Sequence, residues 1–471
     1  MSTIRKQSII SSGVVYFGFA LGVVNNLLFA KWLTPAENGL VMGMFVTMGN
    51  IIYPIATVGM PSFINKFFPY YGSNLSAKNN DQMSIALFIT VAASLLVVLA
   101  GVVFKPLVVR KFGHNSPLFI QFYGWVYVYG TGLSLLYVLE AFGWQLRLPV
   151  LTSFTREILL RLLNLGLIVL LFAGLIAGYD RFVKLYAFTT LLICLVLASV
   201  MVAKGKLRLV FSISRVTRRF FSKIRSLVLL AWPAGVVLNL SQYFAQLVIA
   251  AVVPGGLAAV AVFTIGQFIA SIVMAPQRAV AAASIGPLSQ AWREKDYGRI
   301  KRMYQRSCLS QLIFAVGIYV LIAINFRDGI GIFGLPSAYY AAEPVFLLIG
   351  LNRVIDMGTG LNTQIIGTSV HWRLDFFTGM ILVSLTIPLN YWLAKHLGLV
   401  GPAIADLLTF AIYNGIRSWF LYRRYGFQPF DWRMAGALAT GVILYFGLLL
   451  LLRDRHGFWW AVMRSVTFLG L

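Results

Sequence analysis

Residues 82–104, QMSIALFITVAASLLVVLAGVVF, form an apolar run without a charged side chain. About twenty residues at a rise of roughly 1.5 Å are enough for a helix to cross a hydrocarbon core of roughly 30 Å. Comparable runs recur along the whole chain, which is 59% hydrophobic and 11% charged and has a mean hydropathy of +0.82. This composition cannot be folded around one water-soluble core, so it predicts a polytopic all-α membrane protein.

Thirteen clear apolar segments and a shorter fourteenth are predicted to be helices. Their bounds are 9–32, 39–61, 82–104, 117–139, 154–177, 183–203, 227–253, 257–283, 307–326, 344–368, 376–394, 400–421, 434–452 and 456–471. The last is short and carries Arg464, so we expect it to lie at the interface or to begin a truncated helix. The predicted fold is two six-helix lobes related by a pseudo-twofold axis along the membrane normal, plus one or two extra C-terminal helices.

Lys and Arg are divided unequally between the loops on the two sides of this predicted topology. The side of the amino terminus carries more than twice as many as the other, which places the amino terminus in the cytoplasm. Arg5 and Lys6 precede a first apolar segment that lacks a small-residue cleavage pattern, as is typical of a retained helix. The formal net charge is +25, and the basic loop residues that produce it are therefore expected to face anionic phospholipid rather than nucleic acid.

A basic segment divides the chain near its middle. Residues 204–226 are predicted to be a cytoplasmic linker between an N-lobe of spans 1–6 (1–203) and a C-lobe of spans 7–12 (227–424). Additional helices follow at 425–471. The linker is interpreted either as a topogenic loop, which is favoured, or as an amphipathic helix on anionic lipid. A similar turn, Pro35 to Gly39 and Pro254 to Gly256, opens a hairpin in each half and indicates an internal repeat.

Polar side chains recur at helical spacing inside several apolar segments. Such stripes are explained either by hydrogen bonds between helices or by a wet cavity, and their number favours the cavity. The predicted cavity residues are Asn25, Asn26, Asn239, Gln242, Gln246, Gln267 and Ser271, with Gln267, Ser271 and Arg278 expected on one helix face.

Arginines inside the predicted spans are the sharpest sign of function, because a charge near the bilayer centre costs about 3 kcal/mol on insertion scales. Glu157 and Arg161 at i, i+4, and Arg353 and Asp356 at i, i+3, are predicted ion pairs. Arg278 and Arg417 have no carboxylate within a turn and are expected to be free to bind an anion. With Lys66, these arginines form the predicted substrate site: Arg278, Arg353, Arg417, Arg161 and Lys66. The alternative is that some of them reach to lipid headgroups.

No catalytic or metal-binding motif is found in the sequence. Cys194 and Cys308 form no CxxC motif, the chain has 4 His, and it contains no HExxH, GxSxG or GxxxxGK[ST]. We therefore expect no catalytic residues, no metal, no cofactor and no nucleotide site, and predict a transporter rather than an enzyme.

Three stretches carry a resemblance to a known family: FAKWLTPAENGL (29–40), GLNTQIIGTSVHWR (360–373) and IPLNYWLAKHLGLVGPAIAD (387–406). They resemble the O-antigen and polysaccharide flippases of the multidrug/oligosaccharidyl-lipid/polysaccharide exporter superfamily. The resemblance implies outward translocation of an undecaprenyl-diphosphate-linked oligosaccharide across a bacterial inner membrane by alternating access. It also implies a polysaccharide polymerase or assembly machinery as a partner. Arginine suits a diphosphate because it offers paired donors.

Two other functions are weighed against the flippase. A cation-coupled multidrug exporter of the same superfamily typically has an acidic residue in its first span, and residues 9–32 contain none. A membrane glycosyltransferase or polymerase typically has a long outer loop rich in ionisable residues. The longest here, near 327–343, offers only Arg327, Asp328 and Glu343.

Overall fold

The computed structural model describes residues 3–75, 79–275, 277–371, 373–452 and 457–470, which form helices and turns without a strand. The predicted all-α membrane fold is therefore confirmed. The helices are α1 Thr3–Trp32, α2 Pro35–Asn38, α3 Val46–Thr57, α4 Met60–Asn74, α5 Gln82–Val103, α6 Lys105–Phe112, α7 Pro117–Gln121, α8 Tyr123–Gln145, α9 Pro149–Ser153, α10 Leu160–Phe172, α11 Tyr179–Ala203, α12 Arg215–Val252, α13 Gly256–Val273, α14 Gln277–Glu294, α15 Tyr297–Ile332, α16 Ala342–Thr359, α17 Asn362–Thr368, α18 Arg373–Leu397, α19 Gly401–Tyr425, α20 Trp432–Leu452 and α21 Phe458–Gly470. Two π-helical segments, Gly39–Phe45 and Phe154–Leu159, and two 3₁₀ segments, Ser337–Ala341 and Gly398–Val400, complete the order.

The fourteen predicted segments are largely helical, although several of them contain more than one helix. Among the described residues, 9 helices are long and apolar enough to cross a membrane, or up to 10 if the bent pair at 337–368 counts as one span. One of these, Arg373–Tyr425, contains both α18 and α19. The fourteenth segment is the short helix α21.

The predicted span 257–283 is wrong as one helix. Helix α13 ends at Val273 and α14 begins at Gln277, where the amides of Ala275 and Gln277 donate to carbonyl oxygens only three residues back. The sequence has a proline at 276, a residue that lacks the amide proton an α-helix interior requires. The expected common face of Gln267, Ser271 and Arg278 is interrupted by this break.

The predicted span 344–368 is also broken. Helices α16 and α17 meet at a 48° bend, where Gly360 has a φ of +58°. A Cβ on Gly360 would lie 2.4 Å from the Cys308 sulfur, so only glycine fits this turn. The bend brings the polar residues of α17 beside α18 and α19.

The chain packs as two compact units. The first is Met1–Ala251 with Gly255–Ala261, and the second is Val252–Pro254 with Val262–Leu471. Most of α12 therefore packs with the first unit, whereas the sequence division begins the C-lobe at 227. The division into an N-lobe (1–203), a linker (204–226), a C-lobe (227–424) and additional C-terminal helices (425–471) stays a prediction.

Helix α8 is the centre of the first unit, where it packs against α3, α4, α5 and α11. Its glycines permit close approach: a Cβ on Gly132 would lie 2.5 Å from the Leu191 amide nitrogen of α11. A buried aromatic cluster fills the same region, with the rings of Tyr129 and Tyr186 stacked at 5.7 Å. Helix α15 has the corresponding place in the second unit, where it packs against α14, α16, α20 and α21.

Candidate functional site

Arg417 on α19 is fully buried, with 1% of its side chain exposed. Its Nη1 donates to Thr363 Oγ1 at 2.6 Å, its Nε donates to Thr378 Oγ1 at 3.1 Å, and its Nη2 donates to the Asp375 carboxylate. The guanidinium carbon also lies 3.9 Å from the centre of the Tyr413 ring. The expectation that Arg417 is free to bind an anion is therefore wrong, because α17, α18 and α19 already supply its partners.

Asp356 on α16 lies in the same polar network but is not paired with Arg353. Its two carboxylate oxygens accept from Asn414 Nδ2 at 3.0 Å and from Gln277 Nε2 at 2.9 Å. Asn362 in turn donates to Asn414 Oδ1 at 3.1 Å. The predicted Arg353–Asp356 ion pair is thus wrong: amides from α14 and α19 occupy the carboxylate that sequence spacing had assigned to Arg353.

Arg353 itself has few partners among the described residues. Its Nε is buried without a hydrogen-bond partner, and its guanidinium carbon lies 5.9 Å from the centre of the Phe410 ring. The nearby carboxylate of Asp406 interacts with it electrostatically. Two amide oxygens, those of Asn352 and Asn390, are also buried without a hydrogen bond. Arg353 is therefore an arginine of a membrane helix with hydrogen-bonding capacity left over.

The predicted pair of Glu157 and Arg161 is confirmed, with Arg161 Nη2 2.7 Å from Glu157 Oε2. Arg161 also contacts α1, because its Nη1 donates to the Gly18 carbonyl and its own carbonyl accepts from Asn25 Nδ2 at 2.9 Å. Asn25 is thus buried in a helix contact, and 28% of the Arg161 side chain remains exposed.

Arg156 is a charged residue that sequence reasoning missed. It lies in the π-helical segment Phe154–Leu159, where Nη1 is 3.1 Å from Glu140 Oε2 and Nη2 donates to the Tyr137 hydroxyl at 3.1 Å. The Tyr137 ring stacks on Tyr53 at 4.0 Å, and Asn239 Nδ2 lies 3.4 Å from the Tyr53 hydroxyl. The signal was available, since Arg156 lies inside the predicted span 154–177.

The other predicted site residues are spread over both units. Lys66 on α4 and Gln242 on α12 are exposed, while Gln246 is buried. Asn26 and Ser271 donate to carbonyl oxygens of their own helices, Gly22 and Phe268. Gln267 is half-buried on α13. The backbone of Arg278 belongs to α14, but its side chain lies outside the described residues, so its assignment stays a prediction.

A cavity of about 620 Å³ adjoins the Asp356 network in the second unit. Helices α16 and α19 and the loop before α20 form its walls, and its polar lining includes Asn414, Thr359 and Ser418. Trp419, Tyr422 and Phe430 supply aromatic surface. Among the residues that the structure describes, no group of three His, Cys, Asp or Glu side chains is placed to hold a metal ion.

The helix lengths and their apolar composition define a polytopic α-helical membrane protein. The chain matches the structure titled lipid II flippase MurJ, inward closed conformation, with a TM-score of 0.74 and 14% identity over 98% of this chain and 97% of that chain. It also matches an inward-facing MATE multidrug resistance transporter of the MOP superfamily, with a TM-score of 0.60 and 16% identity over 92% and 99%.

A MOP-superfamily transporter from Pyrococcus furiosus is similar as well, with a TM-score of 0.56 and 14% identity over 90% of this chain and 96% of that chain. At these identities the likeness is one of fold, and the chain shares the helix arrangement of these three structures. No protein-family model and no curated protein sequence matches the chain.

Proposed function

We propose that the chain is a flippase that moves an undecaprenyl-diphosphate-linked oligosaccharide from the inner to the outer leaflet of a bacterial inner membrane, for O-antigen, capsule or exopolysaccharide synthesis. The observation that carries this proposal is Arg353, whose Nε is buried in a membrane helix without a hydrogen-bond partner among the described residues. An arginine inside the bilayer is costly to insert and usually has a functional role. A diphosphate supplies the oxygen acceptors that Arg353 lacks.

The fold supports a lipid-linked cargo. The solved structure with a TM-score of 0.74 to this chain is named as a lipid II flippase, a protein that moves a lipid-linked molecule. The composition of the first span also favours a lipid-linked cargo over a cationic drug, because the described part of α1 contains no carboxylate that would attract a cation. A multidrug exporter remains the alternative, because the MATE structure is named as a multidrug resistance transporter.

The arginines divide into two roles in this proposal. Arg353 contacts the diphosphate directly, and Arg278 and Lys66 are proposed to assist capture at the cytoplasmic end of the path. Arg156 and Arg161 retain partial exposure, with 37% and 28% of their side chains accessible, so they too can meet an anion. Arg417 is proposed to hold α17, α18 and α19 together, because its donors are already engaged.

Tyrosine and amide groups fit the sugar portion of the cargo. Tyr53, Tyr137 and Asn239 lie together beside Arg156, and side chains of this kind bind hydroxyl-rich molecules by stacking and hydrogen bonding. The membrane potential provides part of the driving force, because 100 mV, inside negative, favours outward movement of each negative charge by about 2.3 kcal/mol. Alternating access within the fold then releases the cargo outside.

The test is made in cells. The gene is deleted, and undecaprenyl-linked saccharides are extracted and assigned to the inner or outer leaflet, together with surface polysaccharide. The proposal predicts that complete oligosaccharide units accumulate on the cytoplasmic face and that the intact gene restores export. Unchanged polymer with altered drug tolerance would favour the drug exporter, and accumulation of incomplete units would favour a glycosyltransferase or polymerase.

A further inference from the structure

The segment 204–225, KGKLRLVFSISRVTRRFFSKIR, is basic, and its basic side chains are all exposed to solvent. It contains no acidic residue, and none of its basic side chains forms an ion pair with any described residue. All of them are exposed: Lys204, Lys206, Arg208, Arg215, Arg218, Arg219, Lys223 and Arg225. The described residues therefore supply no ion-pair partner for these charges.

Large apolar side chains are exposed among these charges. Leu209, Phe211 and Ile213 are 57%, 92% and 59% exposed, and Phe221, in the second turn of α12, is 59% exposed. A loop that only sets topology needs its positive charges and has no need for exposed aromatic and aliphatic side chains. A surface that combines both is typical of segments that lie in the membrane interface.

The segment is held in place and does not fold its apolar side chains inward. The Val210 amide donates to Ser84 Oγ at 2.7 Å, and the Ser214 amide and the Thr217 hydroxyl both donate to Asp81 Oδ2 at 2.8 Å. The Tyr71 hydroxyl lies 2.7 Å from Thr217 Oγ1. Helices α4 and α5 thereby fix residues 210–217 while Phe211 and Ile213 point away from the protein.

The length of α12 places the basic residues beyond the hydrocarbon core. Its 38 residues span about 57 Å at 1.5 Å per residue, against a core of roughly 30 Å. The first three turns, from Arg215 to Arg225, therefore extend into the headgroup region, where phosphate groups are the available anions.

We propose that residues 204–225 form a docking surface for anionic phospholipid, with phosphatidylglycerol-type headgroups on the basic side chains and Phe211 and Ile213 inserted among the acyl chains. The charge complementarity, the exposed apolar side chains and the anchoring by Asp81 and Ser84 together favour lipid over a soluble partner. This surface is independent of the cargo that the protein transports.

The insertion is tested with a nitroxide label on Ile213→Cys in the full-length chain, reconstituted in phosphatidylcholine nanodiscs with and without phosphatidylglycerol. Both native cysteines, Cys194 and Cys308, are buried, so the unsubstituted chain serves as the labelling blank. The label on Ile213→Cys is expected to be more accessible to oxygen than to a water-soluble nickel complex. Asn74→Cys, an exposed polar position at the end of α4, is the control expected in water.

The charge is tested by replacing Arg215, Arg218 and Arg219 with Gln and measuring the preference of the protein for spin-labelled phosphatidylglycerol over phosphatidylcholine. We expect the preference to fall by about tenfold, since each basic residue near an anionic surface contributes measurably to binding. The matched control removes the same number of charges from α15, as Lys301, Arg302 and Arg306 to Gln, and is expected to change the preference little.

Three outcomes would overturn the proposal. A nitroxide at Ile213→Cys that lies in water in both lipid mixtures would exclude insertion. An equal loss of lipid preference in the two triple variants would mean that the charges of residues 204–225 act only as general topogenic charges. A preference that survives in the Arg215, Arg218 and Arg219 variant, with its helix content and elution volume unchanged, excludes headgroup binding by the segment.

Discussion

Arg417 on α19 donates from its guanidinium to the carboxylate of Asp375 on α18, and 44% of the Asp375 side chain is exposed while that of Arg417 is 1% exposed. The arginine therefore lies inside the helix packing and the carboxylate lies at its edge. The Arg417 guanidinium also donates to the hydroxyls of Thr363 on α17 and Thr378 on α18. The Arg417 side chain therefore joins three helices, α17, α18 and α19. This arrangement assigns Arg417 to the architecture of the second unit.

Replacing Arg417 with Gln should destabilise the protein. The change removes a buried cation that has partners on every side, and breaking such an arrangement typically costs about 3–5 kcal/mol. Thermal unfolding of the purified protein in detergent measures the loss. Arg424→Gln removes the same charge from an exposed position on the same helix and should leave the unfolding temperature nearly unchanged. Equal unfolding temperatures for Arg417→Gln and Arg424→Gln would contradict the structural role of the buried Arg417.

Arg353→Ala should have the opposite profile to Arg417→Gln. We expect export of the lipid-linked oligosaccharide to fall at least about tenfold, while the unfolding temperature falls by less than in Arg417→Gln, because Arg353 Nε has no hydrogen bond to lose and the loss is limited to its electrostatic interaction with Asp406. Arg353→Lys keeps the charge but loses the paired donors and should retain part of the activity. Wild-type export by Arg353→Ala, at equal protein levels, would exclude capture of the diphosphate by this residue.

A double-mutant cycle separates Arg353 from Asp356. Asp356→Asn places an amide against one of the two amide donors, Gln277 and Asn414, and should destabilise the protein by about 1–3 kcal/mol. Since Arg353 forms no ion pair with Asp356, the coupling energy between Arg353→Ala and Asp356→Asn should lie at the low end of the range for neighbouring side chains, about 0.5 kcal/mol. A coupling energy well above that value would indicate that Arg353 and Asp356 do form the ion pair that their spacing predicts.

The ion pair of Arg464 and Asp328 should anchor the last helix. The side chains are 8% and 3% exposed, and Arg464 also donates to the Ile324 carbonyl while Asp328 accepts from the Gly457 amide. Arg464→Leu should therefore lower stability by about 3 kcal/mol or more and loosen α21 from α15.

The neighbouring pair of Arg327 and Glu343 provides the control for Arg464. Its Nε and Oε2 are 2.7 Å apart, but 67% of the Arg327 side chain is exposed. Arg327→Leu should consequently change stability by less than about 1 kcal/mol. Limited proteolysis near residue 457 reports on the docking of α21, and equal cleavage of Arg464→Leu and the unsubstituted chain would contradict the anchoring role.

Gly18→Ala should disturb the packing of α1. A Cβ at Gly18 would lie 2.7 Å from the Glu157 carbonyl oxygen, a backbone atom that cannot move alone. We expect a loss of about 1–3 kcal/mol, typical of overpacking. Gly13→Ala on the same helix, where an added Cβ meets nothing within 4 Å, is the control and should be neutral or slightly stabilising. Similar unfolding temperatures for both variants would contradict the close contact.

Much of the fold follows from local sequence. The predicted apolar segments are largely helical, and Glu157 and Arg161 pair as their i, i+4 spacing predicts. The break after Val273 and the bend at Gly360 were missed, although Pro276 and Gly360 mark both places in the sequence. Long apolar segments conceal such breaks, because hydropathy alone does not register a missing amide donor or a positive φ.

The partners of the charged residues were harder to predict. Asp356 is contacted by residues 79 positions before it and 58 positions after it, and Arg417 by residues 39, 42 and 54 positions away. Spacing on one helix says which side chains can meet, but tertiary neighbours decide which do. Arg353 and Asp356 have the required spacing but do not pair with each other, because Gln277 and Asn414 already donate to Asp356.

The central claim is that Arg353 captures the diphosphate of a lipid-linked oligosaccharide, and reconstituted transport tests it most directly. Purified wild-type protein, Arg353→Ala and Arg424→Gln are each placed in proteoliposomes with a fluorescent polyprenyl-diphosphate oligosaccharide, and its movement between leaflets is followed with a membrane-impermeant quencher. We expect rapid movement with the wild type and Arg424→Gln and little movement with Arg353→Ala. Equal rates for all three proteins, or no movement with the wild type, would contradict the central claim.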